Sequence, residues 1–374
     1  MQDYTNPLWV VLLILFSAIF SFEFHIAVPI FEVFSGIIGK NLFSLEFLSS
    51  FKYLSFLGLV SLMYLTGLEI DLKLMRENFR RAFALGALTF FGPFILILAS
   101  TFALLSFSLE KSVITGICLS MTSLAIVYPI LKESGFLKTN VGKVILGAVA
   151  FSEIFGMLIL SLMFFKFSLI SFTVIAIFLI SISLFPDISN AIIKRYRNHS
   201  SEIELKFILV LLLGISTISE FANIEVAISS FFIGVVTSKV IKDHEDLEKK
   251  LRNLTFGFLT PFFFFEIGMN IEIMQVTQNL FLVISLFFIS YSANFICNFI
   301  FGKKFTPTHA KYVTYLFNIP LPISLIAAVL AVEAKIYDSV MYSIIAIVTL
   351  ISSVVSSFMI GRKRCGLDMV CDQY

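Results

Sequence analysis

The chain has 374 residues, of which 58% are hydrophobic and 14% charged, and its formal net charge is +2. Apolar runs of roughly 20 residues recur from end to end, which excludes a soluble globular domain and points to a polytopic, all-α membrane protein. The small net charge says little about partners; the placement of the charges says more.

Breaks at Pro, Gly and charge clusters divide the chain into thirteen apolar spans, at 7–22, 26–42, 51–70, 80–105, 112–132, 141–165, 168–186, 205–222, 224–241, 255–274, 279–302, 309–333 and 339–361. The first is preceded by Asp3 and by no Lys or Arg, so it reads as a retained helix rather than a cleaved signal peptide. With the N-terminus outside, 22 of the 27 basic residues fall on the cytoplasmic side, leaving Lys40, Lys52, Lys111, Lys166 and Lys335 outside. That bias follows the positive-inside rule and requires an odd number of spans. It predicts a multi-pass protein of the cytoplasmic (inner) membrane, surrounded by lipid bilayer, with its C-terminus in the cytoplasm.

An internal repeat runs through the same spans. Gly67-Leu68-Glu69-Ile70-Asp71-Leu72 ends span 3, and Gly268-Met269-Asn270-Ile271-Glu272-Ile273 lies in span 10. At the same offset Thr122-Ser123-Leu124 meets Ile323-Ser324-Leu325. Equivalent helices seven spans apart enter the membrane from opposite sides, which predicts inverted repeats in a 6+1+6 arrangement. The expected limits are about 7–165 for repeat 1, 168–186 for a connecting helix, 205–361 for repeat 2, and 362–374 for a short cytoplasmic tail.

Spans 5 and 12 are the irregular ones. Span 5 carries Thr122-Ser123 before Pro129, and span 12 carries Asn318-Ile319-Pro320-Leu321-Pro322-Ile323-Ser324. Proline removes a backbone donor and clashes with the preceding turn, and Ser or Thr can meet the freed groups. Two readings follow: kinked packing helices, or a pair of interrupted helices whose ends meet near the midplane.

Glu153, preceded by Ser152, stands in the apolar stretch of span 6 from Gly147 to Ile154. A carboxylate there is expensive and marks an ion or proton path, or else a structural bond to a neighbouring helix. Its apolar neighbours disfavour the charged form, so it can exchange a proton for a small cation. Ser152, Thr122 and Ser123 are the candidate oxygen donors beside it. Glu266, Asn294 and Ser324 are candidates for supporting roles. Glu32, Glu220 and Glu225 read as helix anchors or as lining an outer funnel. The 242–252 segment alternates in sign and reads as a charged surface helix rather than a nucleic-acid patch. Of the four cysteines, Cys118 and Cys297 read as packing residues, and Cys365 and Cys371 are too sparse for a metal site. There is no phosphate loop, no metal-ligand cluster and no nucleophile–base set, so neither an enzyme nor a cofactor is expected.

These residues resemble the monovalent cation:proton antiporter-2 family of sodium/proton and potassium/proton exchangers. The resemblance rests on Tyr64–Leu72, Thr122–Glu133, Phe231–Val236 and Pro261–Met269, in that order. It implies a thirteen-helix fold with core and dimerisation domains, a homodimer, crossed broken helices at spans 5 and 12, and elevator-type alternating access. It also implies that Glu153 is the shared proton and cation carrier, the monovalent cation being cargo.

Three departures bear on this. Ser152 stands where many members have an acid, Asn or Gln, and Asn294, with Ser292 as a nearby alternative, where members that move net charge often have Lys. Leu321-Pro322-Ile323 replaces a basic/acidic signature. With one titrating carboxylate, exchange of one H+ for one Na+ or K+ is expected to be electroneutral unless Glu266 takes part. Many potassium-efflux relatives continue into a nucleotide-binding regulatory domain; this chain stops soon after Arg364, so none is expected. A transport-inactive membrane sensor and a sodium-coupled organic-anion carrier stay open as alternatives.

Overall fold

A computed structural model describes residues 5–24, 26–69, 78–164, 195, 202–222, 225–242, 244–321 and 323–371. The predicted connecting helix at 168–186, residues 70–72 of the span 3 motif and Pro322 lie outside the described residues. Among the described residues there are sixteen α-helices and no strand. In chain order they are α1 (Thr5–Phe24), α2 (Val28–Phe43), α3 (Ser49–Glu69), α4 (Phe79–Leu104), α5 (Leu109–Ser120) and α6 (Leu124–Glu133). Next come α7 (Asn140–Phe164), α8 (Ile203–Ala222), α9 (Val226–Lys242), α10 (Glu245–Leu254) and α11 (Thr260–Met269). The last are α12 (Ile273–Gln278), α13 (Leu280–Phe305), α14 (Ala310–Leu316), α15 (Ile323–Glu333) and α16 (Ser339–Cys371). Six described helices are long and apolar enough to cross a membrane: α1, α3, α4, α7, α13 and the Ser339–Ile360 part of α16. An all-helical form is what an apolar medium demands, because a helix satisfies its backbone groups internally.

Spans 5 and 12 are each split in two. Met121 and Ser123 are extended, with ψ of 150° and 120°, and this separates α5 from α6. Residues 317–322 separate α14 from α15. The interrupted-helix reading holds; the kinked-helix reading does not. A third departure is a π turn, Thr255–Leu259, between α10 and α11.

The chain forms two compact units. The first comprises Met1–Phe47, Lys73–Leu160 and Phe264–Tyr374. In it α4 packs on α5 and α13, α15 packs on α5 and α16, and α1 packs on α2. In the same unit α2 meets the end of α11 at two glycines. A Cβ on Gly36 would overlap the Phe265 carbonyl and lie 2.9 Å from the Gly268 Cα. Gly86 of α4 similarly sits against the Ala148 carbonyl of α7, which locks α7 in register beside it.

The second unit comprises Leu48–Leu72 and Ser161–Phe263. Its main contact is α3 on α9, again through glycines. A Cβ on Gly67 would overlap the Phe231 carbonyl and lie 2.9 Å from the Gly234 Cα. The Thr237 hydroxyl donates to the Tyr64 hydroxyl at 3.0 Å across this contact. The charged segment predicted as a helix at 242–252 corresponds to α10, which begins at Glu245 and has one buried apolar face. Its Leu247 and Leu251 are buried with Leu65 and Leu68 of α3 and Ile208 and Leu212 of α8. Its Arg252 pairs with Glu69 at 2.8 Å and with Glu248 at 3.2 Å. Lys250 pairs with Glu202 at 2.7 Å, and that bond holds its ammonium above the usual lysine range.

Small residues let membrane helices approach until their backbones touch. A methyl inserted at such a contact forces the helices apart at a cost of about 1–3 kcal/mol. Gly67→Ala and Gly36→Ala should therefore each lower the thermal midpoint of the detergent-solubilised protein. Gly214→Ala, where an added Cβ meets nothing within 4 Å, should leave it unchanged. Equal midpoints for all three variants would refute this account of the crossings.

Candidate functional site

The site is built where the two interrupted helices meet, entirely within the first unit. An interrupted helix exposes carbonyls at the end of its first half and N–H groups at the start of its second. Here some of those groups are met by the opposite broken helix. The Thr122 hydroxyl donates to the Phe317 carbonyl at 2.8 Å, and the Ser123 N–H donates to the Ile319 carbonyl at 3.1 Å. In return the Ser324 hydroxyl donates to the Cys118 carbonyl. The two breaks thus hold each other by reciprocal backbone-directed bonds.

Glu153 enters from α7 and is fully buried. Its Oε1 accepts from the Leu124 N–H, the first residue of α6, at 2.5 Å. A helix N-terminus offers unsatisfied N–H groups and the positive end of the helix dipole, so it suits a carboxylate. The sequence reading placed Glu153 in an apolar stretch, with hydroxyls as its candidate polar neighbours. The structure adds a donor that no side-chain pattern announces, because it is backbone freed by the break. Gly156, one turn beyond, faces Met121 of the break.

The fourth element is α13. Asn294, 3% exposed, donates from Nδ2 to the Leu119 carbonyl at the end of α5 at 2.6 Å, and to Ser290 of its own helix at 2.9 Å. Asn298, one turn on and fully buried, directs Nδ2 to the Phe317 carbonyl at a longer 3.5 Å. Sequence reasoning missed Asn298, although a second Asn four positions after the first puts both on one helix face.

Four sequence-predicted residues, Thr122, Ser123, Glu153 and Ser324, are thus joined at the crossing, with Asn294 behind it. Ser152 is fully buried beside Glu153, and the hydroxyls of Ser120, Ser123 and Ser152 have no hydrogen-bond partner among the described residues. Glu266 is placed elsewhere: it is half-buried on α11, beside Tyr342 of α16. Glu32, read as an anchor or funnel residue, is only 3% exposed in α2. Glu220 is exposed at the end of α8 and Glu225 is half-buried, as helix-end residues should be. Among the described residues no group of three or more His, Cys, Asp or Glu is placed to hold a metal ion.

Removing a bonded hydroxyl and removing an unbonded one should therefore differ. Thr122→Val leaves a buried carbonyl short of a donor and should cost about 1–3 kcal/mol of stability. Ser123→Ala removes a hydroxyl with no partner and should leave the unfolding midpoint unchanged. Parallel thermal unfolding of the two purified variants checks this, and a midpoint loss confined to Ser123→Ala would contradict it.

Comparison with known proteins bears on the same region. A family model described as "Sodium/hydrogen exchanger, transmembrane" matches residues 10–362. YjbQ of Bacillus subtilis (strain 168) is 24% identical over 359 residues, with 89% of this chain and 58% of that protein covered. The Na(+)/H(+)-K(+) antiporter GerN of Bacillus cereus is 27% identical over 271 residues, covering 69% of this chain and 68% of GerN. The chain thus spans about three-fifths of the length of YjbQ. The structure of the sodium proton antiporter MjNhaP1 from Methanocaldococcus jannaschii at pH 8 superposes with a TM-score of 0.66 at 15% identity. That superposition covers 100% of this chain and 99% of that one, and it establishes likeness of fold. Because the family model covers nearly all of its length, the chain belongs to the sodium/hydrogen exchanger family, a family of membrane transporters and not of enzymes.

Proposed function

We propose that this protein is a secondary antiporter that exchanges a monovalent cation, Na+ or K+, for H+ across the cytoplasmic membrane. Glu153 is its shared carrier and alternating access is of the elevator type. The observation that carries this reading is the fully buried Glu153 carboxylate on the first N–H of a broken helix. Partnerless hydroxyls lie next to it in sequence, at Ser152, and at the break it bonds, at Ser120 and Ser123. A carboxylate so placed can carry either a proton or a small cation, and the two compete, which is the minimum chemistry of exchange.

The finer readings belong to the same proposal. Thirteen spans, inverted repeats, separate core and dimerisation domains, and a homodimer are the architecture in which such a site operates. The repeat is supported by two pairings at one sequence offset. Ser324 bonds Cys118, and its counterpart Ser123 bonds Ile319, the counterpart of Cys118. The glycine crossings α2–α11 and α3–α9 are likewise what exchange of the two repeats would produce. Exchange is electroneutral in this reading: Asn294 brings no charge, so swapping one H+ for one cation on Glu153 leaves the site's charge constant.

The test is a pH-gradient dye assay in proteoliposomes, with Na+, Li+ and K+ added in turn. Dequenching by at least one cation, abolished in Glu153→Gln and without a protein-dependent current in planar membranes, is the expected result. Silence for all three cations with folded protein would support the transport-inactive sensor instead. A current that vanishes in Glu153→Gln would refute electroneutrality alone.

A further inference from the structure

Each broken helix ends its first half in carbonyls that point into an apolar interior, and the opposite break meets only some of them. The end of α5 presents Cys118 and Leu119; the end of α14 presents Phe317 and Ile319. Leu119 receives no donor from the opposite break, and its recorded side-chain donor is Asn294 Nδ2 at 2.6 Å. Phe317 receives Thr122 and, at longer range, Asn298. Two amides one turn apart on a single helix therefore reach one carbonyl at the end of each broken helix. Both side chains are at least nine-tenths buried, and the Oδ1 of each has no partner among the described residues. A buried polar group is retained only where it does something, and these amides keep a donor engaged while leaving an acceptor unused.

We propose that Asn294 and Asn298 are positioning residues for exchange: a neutral clamp by which α13 holds the two broken helices at the spacing that presents the Leu124 N–H to Glu153. The clamp acts through its N–H donors, since the C-terminal end of a half-helix carries partial negative charge and a cation or a neutral donor can meet it. A neutral donor does so without adding a charge beside the carrier carboxylate. The inference rests on the antiport reading above.

The test compares Asn294→Leu, Asn298→Leu and Asn294→Asp with the wild type in the same vesicles, and with Ser292→Ala as control. Ser292 lies on the same helix with an exposed hydroxyl bonded only to its own turn. The two Leu variants should raise the Na+ concentration for half-maximal exchange about tenfold, the weight of one neutral hydrogen bond. Asn294→Asp is near-isosteric and regains a donor only when protonated. Its exchange should approach wild type on the acid side and fall away as pH rises, which loss of packing alone would not produce. Wild-type exchange with Leu variants equal to Ser292→Ala, or an Asp variant with the wild-type pH profile, would overturn the clamp. If a Leu variant fails to fold, the pH profile of Asn294→Asp decides. A silent wild type would instead overturn the antiport reading, so the two failures are distinguishable.

Discussion

The structure depends on one constraint: a helix broken inside an apolar medium has no water to satisfy the backbone it frees. Each unmet N–H or carbonyl there costs several kcal/mol. Two such breaks facing each other can meet part of the need with each other's hydroxyls and N–H groups. Thr122, Ser123 and Ser324 do this, each reaching a carbonyl on the far side. What the pair cannot supply comes from outside it, as a carboxylate from α7 and amides from α13. The residues gathered at the crossing are thus ones that meet the backbone groups freed by the breaks.

The two outside contributions are not symmetric. The acceptor supplied to a helix beginning is ionisable, whereas the donors supplied to the helix ends are neutral. A Lys at either Asn position would satisfy a carbonyl as well, but would bring a fixed charge to the crossing. With amides instead, Glu153 is the one carboxylate among the described residues that the crossing holds. The Ser at 152 fits the same economy, since it adds an oxygen without a second proton.

Much of this was legible in the sequence, for physical reasons. The breaks announce themselves because Pro, Ser and Thr in an apolar span have few other uses. Glu153 announces itself because a buried acid is costly. The charged helix read at 242–252 was visible from its alternating signs, whereas the burial of its Leu247 and Leu251 was not foreseen. Other features were not legible. The Leu124 N–H carries no side-chain signature, because any residue type offers it. Asn298 looked incidental without knowing which carbonyl it would face. The burial of Glu32 was not legible either, because it depends on which elements pack around α2. Glu266 drew attention as a second acid, yet the fold places it beside Tyr342 of α16.

The glycine crossings also bear on how the protein is made. Gly67 finds its seat only when Gly234 has been synthesised, and Gly36 only when Gly268 has followed. Until then α2 and α3 present flat glycine faces to lipid with nothing fitted against them. Contacts between residues so far apart in sequence carry a large loop-closure cost and form late. Biogenesis is therefore a matter of insertion first and docking afterwards, and the early helices wait in the bilayer, exposed to wrong partners and to proteolysis, until the later ones arrive.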